Sequence, residues 1–293
     1  MKQTIIALWG MARPLLLLIA TTIYLIGGLI ANAFGVPLQP DAFVWGLVPL
    51  LFSVLSAHYA NEYADYETDA LTKSTPFSGG SGVLPRGIAS RRLALAAAWI
   101  TLALSLLAML AALWAGRIRP DVALVWVTGT AISWMYSLPP FRLAWRGWGE
   151  AVNAVLVGIL LPLYGYGVQT GQLDWAVIIG CAPFALLIFV LVMATNWADR
   201  EADTAVGKYT LTARLPAHRL RLLYGTAAFA AFVVQPFLAG TILPPIVVLS
   251  SLPAVPLVAW AGIRYTRIHS PLPTVIAMLV LLPLQIAAWI LAA

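Results

Sequence analysis

The sequence predicts an all-α, polytopic membrane protein with about nine transmembrane helices around a central cavity. Of its 293 residues, 61% are hydrophobic and only 10% are charged, whereas a soluble domain carries roughly a quarter charged residues. The apolar residues also fall into runs of about 20, the length of a helix that crosses a bilayer. We therefore expect residues 1–293 to form a single integral-membrane domain.

Nine such runs follow one another along the chain. Each ends at prolines, glycines or a polar segment, which do not continue an apolar helix. The breaks are Pro37 and Pro40, the loop 62–91, Arg117 to Pro120, Pro139–Pro140, Gly171, the loop 199–221, Pro244–Pro245, and His269 to Pro271. The expected spans are 11–33, 42–61, 92–115, 121–138, 150–168, 174–197, 222–241, 243–263 and 272–292.

The distribution of basic residues supports this number of spans. With a cytoplasmic N-terminus, 15 of the 17 lysines and arginines fall on the cytoplasmic side, and only Arg117 and Arg119 lie outside. The positive-inside rule predicts such a bias, and a missed helix would reverse the later loops. We therefore expect a cytoplasmic N-terminus, in a prokaryotic inner or plasma membrane. The net charge of +6 is explained by topology and anionic membrane lipid, so no nucleic-acid partner is expected.

Seven of the eleven acidic residues lie in two short segments at the ends of the second and sixth spans, on the same side of the membrane. The segments read NEYADYETDA (61–70) and NWADREAD (196–203). Steps of about four residues place side chains on one face of a helix. The face predicted for the first segment carries Asn61, Asp65 and Asp69, and that of the second carries Asn196, Asp199 and Asp203.

Two further glutamates of the first segment, Glu62 and Glu67, are expected to point away from this face and to be solvated. The matching positions of the two segments favour an internal repeat, in which helices 1–4 correspond to 5–8 and the ninth is additional. The two segments would then face each other across the cavity. The remaining acids, Asp41, Asp121, Glu150 and Asp174, are at span ends, where a solvated or capping carboxylate is ordinary.

Acid-rich helix ends of this kind need a countercharge. Negative charge is unfavourable at a helix C-terminus, and carboxylates four residues apart repel each other. Mg²⁺ prefers carboxylate oxygen and typically bridges carboxylates to substrate phosphates. It would hold a diphosphate and stabilise it as it leaves. Inside a hydrophobic cavity the simplest such ester is an allylic prenyl diphosphate. The predicted cofactor is Mg²⁺, with the ligands Asn61, Asp65, Asp69, Asp199 and Asp203.

The two acidic segments, their order and the nine expected spans resemble the UbiA superfamily of intramembrane aromatic prenyltransferases, over nearly the whole chain. Four stretches are most similar to its 1,4-dihydroxy-2-naphthoate polyprenyltransferase branch: MARPLLLL (11–18), YSLPPFRLAWRGWGE (136–150), YGVQTGQLDW (166–175) and NWADREADTAVGKYTLTARL (196–215). The resemblance implies magnesium-assisted transfer of a polyprenyl chain from its diphosphate to an aromatic acceptor. In this branch the acceptor is 1,4-dihydroxy-2-naphthoate, in menaquinone biosynthesis.

Further residues are expected to assist this chemistry. Tyr136 would shield the allylic cation through its ring or bond the diphosphate; an interfacial aromatic belt is the alternative. The expected catalytic residues are Asp65, Asp69, Asp199, Asp203 and Tyr136. The expected diphosphate-binding residues are Asn61, Asn196, Lys73, Arg86, Arg142 and Lys208, although the basic ones could instead be membrane anchors.

Two alternatives remain open from the sequence. The first acidic segment lacks the additional Asn and the Gly that the naphthoate branch often has there. The acceptor could therefore be 4-hydroxybenzoate, homogentisate, a chlorophyllide or a glycerol phosphate. A membrane transporter with an intramembrane ion site is the other class. A transporter would place its acids on broken helices at mid-membrane depth. Both segments here lie at span ends on the same side, which favours an enzyme whose site opens to the cytoplasmic side.

Overall fold

A computed structural model describes residues 2–72, 77 and 79–293 of the chain. Within these ranges the protein is helical and has no β-strand, only one isolated bridge between Ala239 and Leu243. The helices are α1 (Lys2–Ala12), α2 (Pro14–Ala33), α3 (Pro40–Ala64), α4 (Tyr66–Leu71), α5 (Arg91–Trp114), α6 (Pro120–Ser137), α7 (Gly149–Val155), α8 (Leu161–Thr170), α9 (Trp175–Ala205), α10 (Leu211–Arg214), α11 (Ala217–Leu238), α12 (Pro245–Leu249), α13 (Ala254–Arg264) and α14 (Leu272–Leu291). A 3₁₀ turn (Leu143–Arg146) precedes α7, and a π-helical turn (Leu156–Leu160) joins α7 to α8.

The all-α, multi-pass membrane architecture is confirmed, but eight rather than nine of the described helical segments are long and apolar enough to cross a membrane. They are Pro14–Ala33, Pro40–Ala64, Arg91–Trp114, Gly149–Thr170, Trp175–Ala205, Ala217–Leu238, Pro245–Arg264 and Leu272–Leu291. The expected span 121–138 does form a helix, α6, with 18 residues. It falls short in apolarity because it includes Asp121, Thr130 and Tyr136.

The surface and the interior of the bundle are both apolar, as expected for a protein surrounded by lipid. Phe237 and Trp114 are 80% and 93% exposed, which is costly in water but favourable against acyl chains. Inside, glycines allow close helix approach. A Cβ on Gly27 would collide with the Pro162 carbonyl, and a Cβ on Gly165 with the Tyr24 carbonyl. The α2 and α8 backbones therefore meet directly.

The two acidic segments stay helical, and this positions their side chains. The amide of Asp65 donates to the Asn61 carbonyl and that of Asp69 to the Asp65 carbonyl, both at 2.8 Å, so the helical register continues from α3 into α4. Helix α9 continues to Ala205, beyond the expected end at 197, and carries the second acidic segment on its last turns. Helix α4 packs against α9, so the two segments lie side by side.

Candidate active site

The two acidic segments meet at one lysine. Lys208 Nζ lies 3.0 Å from Asp65 Oδ2 and 3.4 Å from Asp203 Oδ1, and all three residues are buried. Gly207 turns the chain after α9 with φ +76°, and the Lys208 amide donates to the Asp203 carbonyl at 2.8 Å. Burial lowers the pKa of Lys208, but the charges of Asp65 and Asp203 outweigh it and raise the pKa above its ordinary value, so the ammonium stays charged.

Asp65 is the most heavily bonded carboxylate of the group. Besides Lys208, it accepts hydrogen bonds from Asn61 Nδ2 at 2.9 Å and from Trp145 Nε1 at 3.1 Å. Asn61 Nδ2 also lies 3.4 Å from the hydroxyl of the buried Ser137. The Asn61 amide nitrogen therefore helps to hold the Asp65 carboxylate in place. The side-chain carbonyl oxygen of Asn61 can accept no hydrogen from these groups and is the atom that could bind a cation.

A glycine-containing loop covers the other two acids. Gly79 N donates to Asp199 Oδ2 at 3.4 Å. Gly80 lies against Asp69 with φ +64°, so closely that a Cβ there would collide with the carboxylate. Burial, together with the negative charge of Asp65, raises the pKa of Asp69 from 3.8 to about 7. Its surroundings in this structure therefore favour the neutral form of the carboxyl group more than water does.

Several buried carboxylate oxygens of the site have no hydrogen-bond donor among the described residues. They are Asp199 Oδ1 and both oxygens of Asp203, one of which faces the Lys208 ammonium at 3.4 Å. In residues 2–72, 77 and 79–293, no three His, Cys, Asp or Glu side chains are close enough to hold a metal ion as they stand. The donor set nevertheless fits a hard divalent cation, because in the described part of the chain α9 leaves three buried carboxylate oxygens without donors close to the carboxylate of Asp65, and only the Lys208 ammonium lies between them.

Of the other basic residues predicted to bind diphosphate, Arg142 lies at the site and Arg86 does not. The Arg142 guanidinium stacks 4.1 Å from the centre of the Trp145 ring, and its buried Nε has no hydrogen-bond partner among the described residues. Arg86 is exposed, and its guanidinium lies over Gly82. Lys73 lies outside the residues that the structure describes.

Tyr136 and Asn196 lie beside a further acid. Asn196 Nδ2 donates to Glu150 Oε1 at 2.9 Å. The Tyr136 ring packs against Gly149, with Cε2 3.4 Å from where a Cβ on that glycine would stand. Where α3, α4 and α9 meet, the structure brings together Asn61, Asp65, Asp69, Asp199, Asp203 and Lys208. Arg142 lies beside this group through Trp145.

With this geometry in place, the family can be assigned. A model described as the UbiA prenyltransferase family matches residues 18–282. The chain belongs to the UbiA prenyltransferase family. The predicted resemblance and the assignment as a prenyltransferase are thereby confirmed.

Among its relatives are two named 1,4-dihydroxy-2-naphthoate octaprenyltransferase. The one from Bacillus subtilis is 27% identical over 227 residues, which cover 76% of this chain and 70% of that protein. The one from Mycobacterium leprae is 27% identical over 191 residues, which cover 64% of this chain and 62% of that protein. This UbiA-family chain is therefore similar to enzymes of the branch that its sequence motifs indicated.

Solved structures share the fold of this UbiA-family chain. A UbiA homolog from Archaeoglobus fulgidus bound to DMAPP and Mg²⁺ has a TM-score of 0.69 and 18% identity, covering 96% of this chain and 98% of that one. A structure of digeranylgeranylglyceryl phosphate synthase has a TM-score of 0.69 and 17% identity, covering 99% of both chains.

Sequence reasoning assigned one glutamate of the UbiA-family chain wrongly. Glu62 was expected to be solvated, but it is 1% exposed. Its carboxylate pairs with Arg13 Nη2 at 2.5 Å and accepts from Ser81 N at 2.9 Å and Ser81 Oγ at 2.6 Å. Glu67, by contrast, has a side chain that is 62% exposed, as expected. Glu62 and Asp69 are seven residues apart, about two helical turns, so they share a face, and the loop that returns through Ser81 covers both of them.

Three further residues at the site were missed. Trp145 bonds Asp65 and stacks on Arg142. Tryptophan is frequent at membrane interfaces, so nothing in the local pattern distinguishes Trp145 from the other eleven. Arg13 was counted only as a topology signal. Glu150 was read as an ordinary span-end acid, yet it is fully buried. A signal for Glu150 was available, because RGWGE places an acid immediately after a break, in the first turn of a helix.

Proposed function

We propose that this UbiA-family enzyme transfers a polyprenyl group from its diphosphate to 1,4-dihydroxy-2-naphthoate, in a magnesium-dependent step of menaquinone biosynthesis. The proposed polyprenyl diphosphate substrate is supported by one observation. Two acidic helix ends meet at Lys208, and several buried carboxylate oxygens there have no hydrogen-bond partner among the described residues. The acceptor half is supported by the two relatives that carry the naphthoate name.

The acidic residues form the proposed cation site. Asp65, Asp69, Asp199 and Asp203, with Asn61, would hold Mg²⁺, which supplies the positive charge that neutralises a diphosphate and stabilises it as a leaving group. The A. fulgidus neighbour bound to DMAPP and Mg²⁺ supports this assignment. In this chain Asn61 and Trp145 orient Asp65, and the Gly79 amide orients Asp199.

The basic residues bind the diphosphate directly in this proposal. Lys208 is a buried ammonium between the two acidic segments and donates to diphosphate oxygens as a point charge. Arg142 has a buried Nε–H without a partner among the described residues, so diphosphate binding would satisfy a group that is costly to leave unpaired. For Arg86 and Lys73 a role in binding stays a prediction. Asn196 Nδ2 donates to Glu150, so for Asn196 too a role in binding the diphosphate stays a prediction.

Transfer then needs no nucleophilic side chain. The allylic C–O bond breaks and its electron pair leaves with the diphosphate. The ring carbon of the acceptor forms the new C–C bond, and loss of the naphthoate carboxylate as CO₂ restores the aromatic ring. Tyr136 precedes Ser137, whose hydroxyl meets Asn61, and in this proposal its ring would stabilise the cation that develops. The Gly79–Gly80 loop over the acids limits the access of water. The positive-inside bias supports a site mouth on the cytoplasmic side.

Purified enzyme with Mg²⁺, polyprenyl diphosphates of several lengths and a panel of acceptors tests the proposal. The panel contains 1,4-dihydroxy-2-naphthoate, 4-hydroxybenzoate, homogentisate, a chlorophyllide and a glycerol phosphate lipid. Mass spectrometry of products is expected to show prenylated, decarboxylated naphthoate, and EDTA is expected to abolish it. Asp65→Asn and Asp199→Asn are expected to lower kcat by about a hundredfold or more.

The matched control is Glu201→Gln, an exposed acid of the second segment, which should keep full activity. Transfer only to another acceptor would overturn the naphthoate assignment and leave the diphosphate chemistry in place. Full activity in both aspartate variants, or in EDTA, would overturn the proposed cation site.

A further inference from the structure

The first turn of α7 buries a carboxylate that the diphosphate chemistry does not use. Glu150 is 0% exposed. Its Oε1 accepts from Asn196 Nδ2 at 2.9 Å, and its Oε2 has no hydrogen-bond partner among the described residues. A buried carboxylate oxygen without a donor is costly, and such groups are uncommon away from functional sites. Glu150 Oε2 could therefore accept a hydrogen bond from a ligand.

The position of Glu150 along α9 indicates which ligand this is. Asn196 precedes Asp199 by three residues, a rise of about 4.5 Å toward the membrane interior. Glu150 therefore contacts α9 about one turn deeper than the acids proposed to bind the cation. In a bound prenyl diphosphate, the allylic carbon follows the diphosphate toward the apolar interior. Glu150 consequently lies at the level where the acceptor has to reach that carbon.

The surroundings of Glu150 suit an aromatic hydroxyl compound. It forms no ion pair with any described residue, and its negative charge repels a diphosphate. The Tyr136 ring packs against Gly149, the residue before Glu150, with Cε2 3.4 Å from where a Cβ on that glycine would stand. An aromatic ring therefore lies beside the start of α7, where Oε2 of the buried carboxylate lacks a donor among the described residues.

We propose that Glu150 binds the aromatic acceptor through its hydroxyl group, with Oε2 accepting the hydrogen bond. This inference rests on the proposed function. A hydroxyl–carboxylate hydrogen bond is short and strong, so it fixes the ring against the allylic carbon and raises the electron density of the ring. The ring carbon then bonds to the allylic carbon while the C–O electron pair leaves with the diphosphate. The hydroxyl keeps its proton, and the ring loses H⁺ or CO₂ to become aromatic again.

Glu150→Gln is the decisive variant. It keeps the size of the side chain and an oxygen that accepts from Asn196, and it removes the charge. We expect kcat/KM for 1,4-dihydroxy-2-naphthoate to fall about ten- to a hundredfold, the loss of one hydrogen bond to a charged group, with KM for the prenyl diphosphate unchanged. Glu67→Gln, at an exposed glutamate, is the matched control and should behave as wild type.

A second measurement separates acceptor binding from a structural role. The two monomethyl ethers of the naphthoate remove one hydroxyl donor each. Wild type is expected to discriminate against one of them by about ten- to a hundredfold, and Glu150→Gln to discriminate much less. A structural defect would slow the parent compound and its ethers equally, which would overturn the proposal.

The wild-type half of the ether comparison can overturn the proposal even if the variant does not fold. Wild-type use of both ethers at the rate of the parent overturns the role of Glu150. Normal transfer by Glu150→Gln also overturns this inference alone and leaves the proposed function standing. Failure of wild type to prenylate any hydroxylated aromatic overturns the proposed function and this inference with it.

Discussion

Replacing Glu62 by glutamine is expected to reduce both the stability and the donor affinity of the enzyme. The Glu62 carboxylate accepts from Arg13 Nε at 2.9 Å and Nη2 at 2.5 Å, and from both the amide and the hydroxyl of Ser81. Arg13 occupies the break between α1 and α2 with φ +50°. Ser81 follows Gly80, which lies against Asp69. A single carboxylate therefore ties this break to the loop that covers the acids.

The magnitude follows from the burial of the pair. Removing one partner of a buried ion pair costs about 3–5 kcal/mol, because the other charge stays buried and unpaired. The Arg13 side chain keeps 22% exposure, so water can partly solvate it and we expect the lower end, about 3 kcal/mol. For a chain of this size each kcal/mol shifts Tm by about 2 °C, so the expected loss is about 6 °C.

The assay is thermal unfolding of purified protein, followed by circular dichroism in one detergent. Glu67→Gln is the matched control, because Glu67 lies in the same segment, is 62% exposed and faces Arg91 only at 3.7 Å. Its Tm should stay at the wild-type value. In activity assays, Glu62→Gln should raise KM for the prenyl diphosphate about tenfold, since the amide nitrogen that replaces Oε2 no longer accepts the hydrogen bond from Ser81 Oγ and the loop is held less firmly. Equal Tm values for the two variants would refute the reasoning.

Two further predictions concern the groups that contact the acids. Gly80→Ala is expected to remove most transfer activity, because the added Cβ would collide with the Asp69 carboxylate. Gly87→Ala is the control and should keep the activity, because Gly87 has a similar φ of +70° and no neighbour within 4 Å of a Cβ. Equal transfer rates in the two variants would contradict the contact between Gly80 and Asp69. Trp145→Phe keeps a ring but loses the N–H that bonds Asp65 Oδ1 at 3.1 Å, so kcat at saturating substrate should fall about tenfold. An unchanged kcat would show that this hydrogen bond does not position Asp65.

Apolar runs and helical spacing predicted most of the fold and the convergence of the acids. They failed where charge interrupts a helix. The expected span ended at 197, where charged residues begin, but α9 continues to Ala205 and buries Asp203 while Glu201 stays exposed. The span expected at 121–138 is the helix α6, which is less apolar than the eight other segments. The spacing of residues along a helix is a local property. It does not predict whether a given turn contacts lipid, water or protein.

The buried glutamates could not be predicted for a related reason. Glu62 meets Arg13 across 49 positions and Ser81 across 19, and Glu150 meets Asn196 across 46. Such pairs depend on how loops return to the bundle, and no local pattern encodes that return. Spacing can state which face a side chain occupies, but tertiary structure decides whether that face meets lipid, water or another helix.

The countercharge that the acidic segments require comes partly from the chain itself. The sequence argument assigned it to Mg²⁺, whereas the structure places the Lys208 ammonium between Asp65 and Asp203. One ammonium cannot neutralise four carboxylates, and burial, with the charge of Asp65 added to it, raises the pKa of Asp69 to about 7. The proposed cation would balance the remaining negative charge. When the proposed cation binds together with a diphosphate, Lys208 would gain diphosphate oxygens as partners. The same lysine would then stabilise the acidic cluster before the substrate binds and the substrate afterwards.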